Sequence, residues 1–167
     1  MDLPIDHVAF STGDLDRSIE IIANSGLSMT PVGEARWPGE DGAYTARTVS
    51  IVLGDQYLDI IELDGADRDL MPTAVVLRTA DIGATRSTLM QRGVRCGRPY
   101  VIVRRFFGAG PDQRYTIFDT DTAHACGLPL SVITTDDAFP MRNVAAHRAE
   151  VVRLEDGARF FGVDLSC

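Results

Sequence analysis

The chain has 167 residues, 45% of them hydrophobic, and a formal charge of −8: one compact domain with a real core, and a surface too acidic to hold a nucleic-acid backbone. Its three cysteines, Cys96, Cys126 and Cys167, show no C-x-x-C spacing, which excludes a disulfide framework and a thiolate zinc knuckle. All 16 basic residues are Arg, a compositional bias on which no function is built.

In chain order, residues 5–11 alternate apolar and polar side chains, as a strand with one covered face does. Asp14 then opens a helix over about 14–24 that Gly26 can terminate. Strands follow at about 27–35, 43–53 and 56–62, the last two joined by a hairpin at Gly54-Asp55. Residues 33–42, around Trp37-Pro38-Gly39, read as a mobile loop. After a polar linker at 64–72 the order repeats: strand 73–79, helix 82–92, and strands 99–107, 113–119 and 128–134. Beyond Asp136 the pattern changes, and Glu155-Asp156-Gly157 between apolar pairs reads as a terminal β-hairpin, with the start of a third copy as the other reading. The N-terminus has neither a basic region nor an apolar stretch, and no run is long enough to span a bilayer, so a soluble cytoplasmic protein is expected.

The repetition is explicit. Residues 14–27 align with residues 81–94 at a constant offset, 81 − 14 = 67 and 93 − 26 = 67, each stretch running from a capping Asp to a terminating Gly. Two βαβββ units result, at 1–63 and 73–135, followed by an extension at 136–167. A ligand is expected between the two units.

Ile5-Asp6-His7-Val8-Ala9-Phe10, Asp14-Leu15 at a helix start, and Gly54-Asp55-Gln56-Tyr57-Leu58-Asp59-Ile60 together resemble the vicinal oxygen chelate superfamily, and within it glyoxalase-like domains. The resemblance spans about residues 4–135 and is closer in the first unit. It implies an α+β fold in which two βαβββ modules curl into one cup-shaped mixed sheet, with the ligand or metal on the concave face. The superfamily includes glyoxalase I, epimerases, dioxygenases and non-catalytic bleomycin-binding proteins, so the fold leaves function open.

The resemblance carries two metal-ligand positions of the first module onto His7 and Asp59. Alternation agrees: if Val8, Phe10, Leu58 and Ile60 pack under the helix, His7, Ser11, Tyr57 and Asp59 face the cup, and Glu62 falls on the other side. The second module departs from the pattern, because 7 + 67 gives Ala74 and its last strand lacks both carboxylate and imidazole. A divalent ion would need a third ligand, for which only His124 and His147 remain. The expectation is therefore no cofactor, with a divalent metal ion on His7 and Asp59 as the other possibility.

Arg104-Arg105-Phe106-Phe107 places one Arg and one Phe on each face of a strand, so one Arg can meet an anionic group in the cup while the other stays outside among the carboxylates. Tyr57, Ser11, Trp37, Arg104, Arg105 and Phe106 are the candidate ligand-binding residues. Cys126 reads as inert. Two functions follow. One is a binder, of the bleomycin-resistance type, that sequesters a small organic molecule in the cup and forms a homodimer. The other is a lyase, isomerase or epimerase in which His7 and Asp59 transfer a proton or contribute to a metal site.

Overall fold

The structure, a computed structural model, describes residues 3–39, 42–53, 56–106 and 112–135. The elements are β1 (Ile5–Thr12), α1 (Leu15–Asn24), β2 (Gly33–Gly39), β3 (Gly42–Leu53), β4 (Gln56–Glu62), β5 (Met71–Arg78), α2 (Ile82–Gln91), β6 (Tyr100–Phe106), β7 (Gln113–Asp119), α3 (Ala123–Cys126) and β8 (Leu130–Thr135). The strands close into one mixed barrel in the order β1-β4-β3-β2-β6-β7-β8-β5, an α+β fold with the curved sheet expected from the sequence. The terminal hairpin expected within 136–167 lies outside the described residues.

Helices α1 and α2 begin and end alike. Asp14 accepts the Arg17 backbone N–H at 3.1 Å, and Asp81 accepts that of Ala84 at 2.9 Å, so each carboxylate satisfies a donor the helix cannot. Gly26 (φ 76°) and Gly93 (φ 86°) turn the chain out in the left-handed region. Leu15 and Ile22 of α1 pack on Val49, Ile51 and Ile60, with Phe10 and Leu58 at the margin. On the other module Ile82 and Leu89 of α2 lie against Val75, Leu77, Phe118 and Val132. A third apolar group, Val76, Tyr115, Ile117 and Ile133, faces the barrel interior.

The 67-residue repeat is a two-fold axis in space. β1 and β5 pair antiparallel with Val8 opposite Val75, and 8 + 67 = 75, so these equivalent residues meet on the axis. The ladder is bulged between Ile5 and His7 and again between Ala9 and Phe10, and the same shift exchanges the two bulges: Ile5 opposite Leu77 becomes Pro72 opposite Phe10 (5 + 67 = 72; 77 − 67 = 10). On the far side β2 pairs with β6, and Arg36 stands opposite Val103, again 67 apart (103 − 36). Both seams of the barrel therefore lie on one axis.

One expectation is corrected here. Residues 33–39 are not a loop, and the second strand is not 27–35. Gly33–Gly39 forms β2, hydrogen-bonded to β3 on one edge and to β6 on the other, so it closes the barrel. The glycines that suggest a loop serve the hairpin instead. A Cβ on Gly39 would lie 2.5 Å from the Gly42 carbonyl oxygen, and Gly42 has φ 128°. Of the earlier stretch, Met29 makes only an isolated bridge to Ile51.

Candidate functional site

A cavity of about 190 Å³ lies between the two modules, lined on one side by His7, Tyr57, Asp59 and Arg104 and on the other by Trp37, Tyr100, Asp119 and Ser131. That is below the roughly 300–1,000 Å³ of drug-sized sites, which suits a small ligand or one end of a larger one.

β1 and β4 run parallel, with His7 opposite Tyr57 and Ala9 opposite Asp59. The His7 and Tyr57 rings stack, centroids 5.4 Å apart and planes 18° off parallel. The bulge after Ile5 brings Asp6 beside its neighbour, so His7 Nδ1 lies 2.8 Å from Asp6 Oδ2 while Nε2 lies 3.4 Å from Asp59 Oδ2. Asp6 also accepts the Tyr57 hydroxyl at 2.9 Å. The imidazole thus stands between two carboxylates and is hydrogen-bonded to Asp6. Its Nδ1–H donates to Asp6, which fixes the ring's orientation against the cavity wall.

Asp59 is equally constrained. Arg104 Nη1 donates to Asp59 Oδ2 at 2.6 Å, the Ser50 hydroxyl donates to Oδ1, and Arg104 Nη2 reaches Thr48 Oγ1 and Ser50 Oγ at 2.8 Å each. Burial pushes the Asp59 carboxyl up, but the Arg104 guanidinium, His7 and the bond from Ser50 together outweigh it and hold Asp59 below the usual carboxylate range. Burial, then Asp6 and Asp59, push the Tyr57 hydroxyl upward, so it stays a neutral donor.

The two-fold axis relates this cluster to the opposite wall. Asp59 stands beside Ala9 on β1, and Ser131 beside Val76 on β5, where 9 + 67 = 76, so Ser131 occupies the second-module counterpart of Asp59. Their cross-strand partners, Ser50 and Asp119, correspond in turn. The serine and the aspartate have changed places: Ser50 donates to Asp59 in one module and Ser131 donates to Asp119, at 2.6 Å, in the other. Asp119 also accepts the Tyr100 hydroxyl at 2.9 Å. Arg104 corresponds to Trp37, since 37 + 67 = 104, and His7 to Ala74. One wall carries imidazole and guanidinium; the other carries indole, phenol and a carboxylate.

The other candidates fall elsewhere. Arg105 points away from the cavity and grips Asp112 through Nε and Nη2 at 2.8 and 2.9 Å, which corrects its assignment to the ligand. Ser11 is buried but does not line the cavity. Trp37 does line it, from β2, with its ring 5.8 Å from that of Tyr44. Glu62 accepts the Leu15 backbone N–H at 3.1 Å and meets Arg47 at 3.2 Å, a helix-start contact away from the site. The side chains of Phe106, His124 and Cys126, and all of His147, lie outside the described residues. Asp6, Ser50, Asp119 and Ser131 are the polar residues that periodicity misses.

The donor set does not fit a divalent ion on His7 and Asp59. Both oxygens of Asp59 are taken by Ser50 and Arg104, and a guanidinium stands where a cation would have to approach. The matching positions of the second module, Ala74 and Ser131, offer a methyl and a hydroxyl, and no group of three metal-ligating side chains exists among the described residues.

No protein-family profile and no curated relative matches the chain. Solved structures do match in shape. Methylmalonyl-CoA epimerase from Mycobacterium tuberculosis shares 18% identity at TM-score 0.54, over 78% of this chain and 86% of that one. The Streptomyces coelicolor epimerase, in complex with 2-nitronate-propionyl-CoA, shares 19% at 0.56, over 81% and 100%. A hypothetical protein, BH1468 from Bacillus halodurans, shares 10% at 0.58, over 83% and 99%. The fold is that of the vicinal oxygen chelate superfamily. Within that fold His7 and Asp59 stand on the first and fourth strands of module one, and no helix among the described residues is long and apolar enough to cross a membrane.

Proposed function

We propose that this protein is an isomerase- or epimerase-type enzyme that removes and returns a proton on a carbon beside a carbonyl group, with His7 as the base. The observation that carries the reading is the imidazole on the cavity wall, hydrogen-bonded through Nδ1 to Asp6, with Nε2 3.4 Å from Asp59 Oδ2. Fixed in that way, a ring needs no reorganisation to accept a proton, and a flanking carboxylate stabilises the imidazolium that forms. Asp59 is a positioning residue and not a second base, because Arg104 and Ser50 hold its charge in place. Arg104 sets a positive charge on the same wall, where an enolate oxygen develops negative charge. The likeness to epimerases in fold supports the class of reaction. A coenzyme A thioester is not the ligand we assign, since three carboxylates and one guanidinium line this cavity.

The second reading, a binder without turnover, draws on the opposite wall, where the counterpart of His7 is Ala74 and no second imidazole faces the ligand. Proton exchange separates the two. A panel of small ketones, aldehydes and thioesters with one ionisable α-hydrogen is incubated with the protein in D2O, and loss of that hydrogen is followed by NMR. The wild type is expected to exchange at least one member about 100-fold faster than His7→Gln. If every compound that binds exchanges no faster than with His7→Gln, the protein is a binder.

A further inference from the structure

We propose that the cavity selects a small organic cation, whose ammonium or other positive nitrogen sits by Asp119 between Trp37 and Tyr100 while its carbonyl end faces His7 and Arg104. The proposal deepens the reading above by naming the substrate class.

Charge is the first argument. Asp6, Asp59 and Asp119 line the cavity against one lining cation, Arg104, so with His7 neutral the wall carries 1 − 3 = −2. Arg78 comes within 3.9 Å of Asp6 from outside the lining and offsets part of this, but only at that end. An anionic ligand meets net repulsion, and a cation is drawn in.

Placement is the second. Asp59 is matched by Arg104, whereas Asp119, its partner in the swapped Ser–Asp pair, takes part in no ion pair among the described residues. It accepts two hydroxyls, from Tyr100 and Ser131, and stays exposed at the rim of the cavity. The position that supplies the guanidinium on one wall supplies the Trp37 indole on the other. Two aromatic rings and a carboxylate lining one cavity recognise a cationic nitrogen by cation–π attraction and Coulomb force together. At the opposite end of β7, Gln113 stands opposite Arg104, so the two charges occupy opposite ends of one ladder and orient a bipolar ligand. A positive group on the substrate also offsets the enolate as it forms in a net-negative cavity.

Trp37 is the only tryptophan in the chain, so its fluorescence reports the site directly. The full-length protein is titrated with phenyltrimethylammonium and with benzoate, which share a ring and differ in charge and which carry no exchangeable α-hydrogen. The cation is expected to quench Trp37 and to bind about tenfold tighter than benzoate. That preference is expected to shrink about tenfold in Asp119→Asn and to weaken with added salt. Equal or tighter binding of benzoate, an unchanged preference in Asp119→Asn, or no response of Trp37 to either probe overturns the proposal. The probe pair in the wild type decides the matter even if the variant fails to fold. Because neither probe can turn over, charge selection without proton exchange would remove the enzyme and leave the cation site standing.

Discussion

At the scale of single residues, Arg104 and Asp59 decide what the cavity wall can do. Both are buried, and their salt bridge is reinforced by Thr48 and Ser50. Such a pair is weak evidence of net stability, yet breaking it is costly because the remaining charge is stranded. Asp59→Ala should lower the unfolding free energy by about 3–5 kcal/mol, read from denaturant midpoints. A pH titration gives a second sign. The folded-state value of Asp59 lies below its ordinary 3.8, so its contribution is complete above 3.8 and disappears as pH falls through the lower folded value. Asp59→Asn should therefore flatten the stability profile below 3.8 and leave its slope near neutrality unchanged. His7 and Asp59 were legible in the sequence because strand alternation puts both toward the cup. Asp6 was not, because alternation points it away and only the bulge after Ile5 swings it back to His7.

At the scale of elements, the repeated caps carry the symmetry. Asp81 closes the first turn of α2 on Ala84, a contact that stands clear of the cavity. Asp81→Ala should cost about 1 kcal/mol, or roughly 2–4 °C in Tm for a chain of this size, with probe binding at Trp37 unchanged. A change in binding would mean that α2 sets the cavity's shape. Helix boundaries were readable because cap chemistry is local: an Asp before the helix and a Gly after it suffice. β2 was not readable, because Trp37-Pro38-Gly39 has turn composition yet pairs with Tyr44, Ala43 and Gly42 of β3, and because Gly33 to Arg36 are held on their other edge by β6, 67 residues away (103 − 36). Non-local pairing of that kind leaves no signature in the segment itself.

At the scale of the molecule, two modules related by one axis have divided the work. The axis sets His7 against Ala74, Arg104 against Trp37, and an aspartate against a serine on each wall, with their order reversed. The sequence shows the loss in the second module plainly. It does not show the exchange, since Asp119 and Ser131 meet only across the β7 and β8 ladder. The proton-transfer reading rests on His7 being held at the cavity wall by Asp6, and NMR of its ring tests that most directly. The chain has three histidines, so a 15N-histidine spectrum is sparse, and His7→Gln assigns the signal. The account predicts an Nδ1–H protected from solvent exchange, lost in Asp6→Asn, and shifted when phenyltrimethylammonium enters the cavity. A rapidly exchanging ring, unaffected by Asp6→Asn and by the probe, would contradict it.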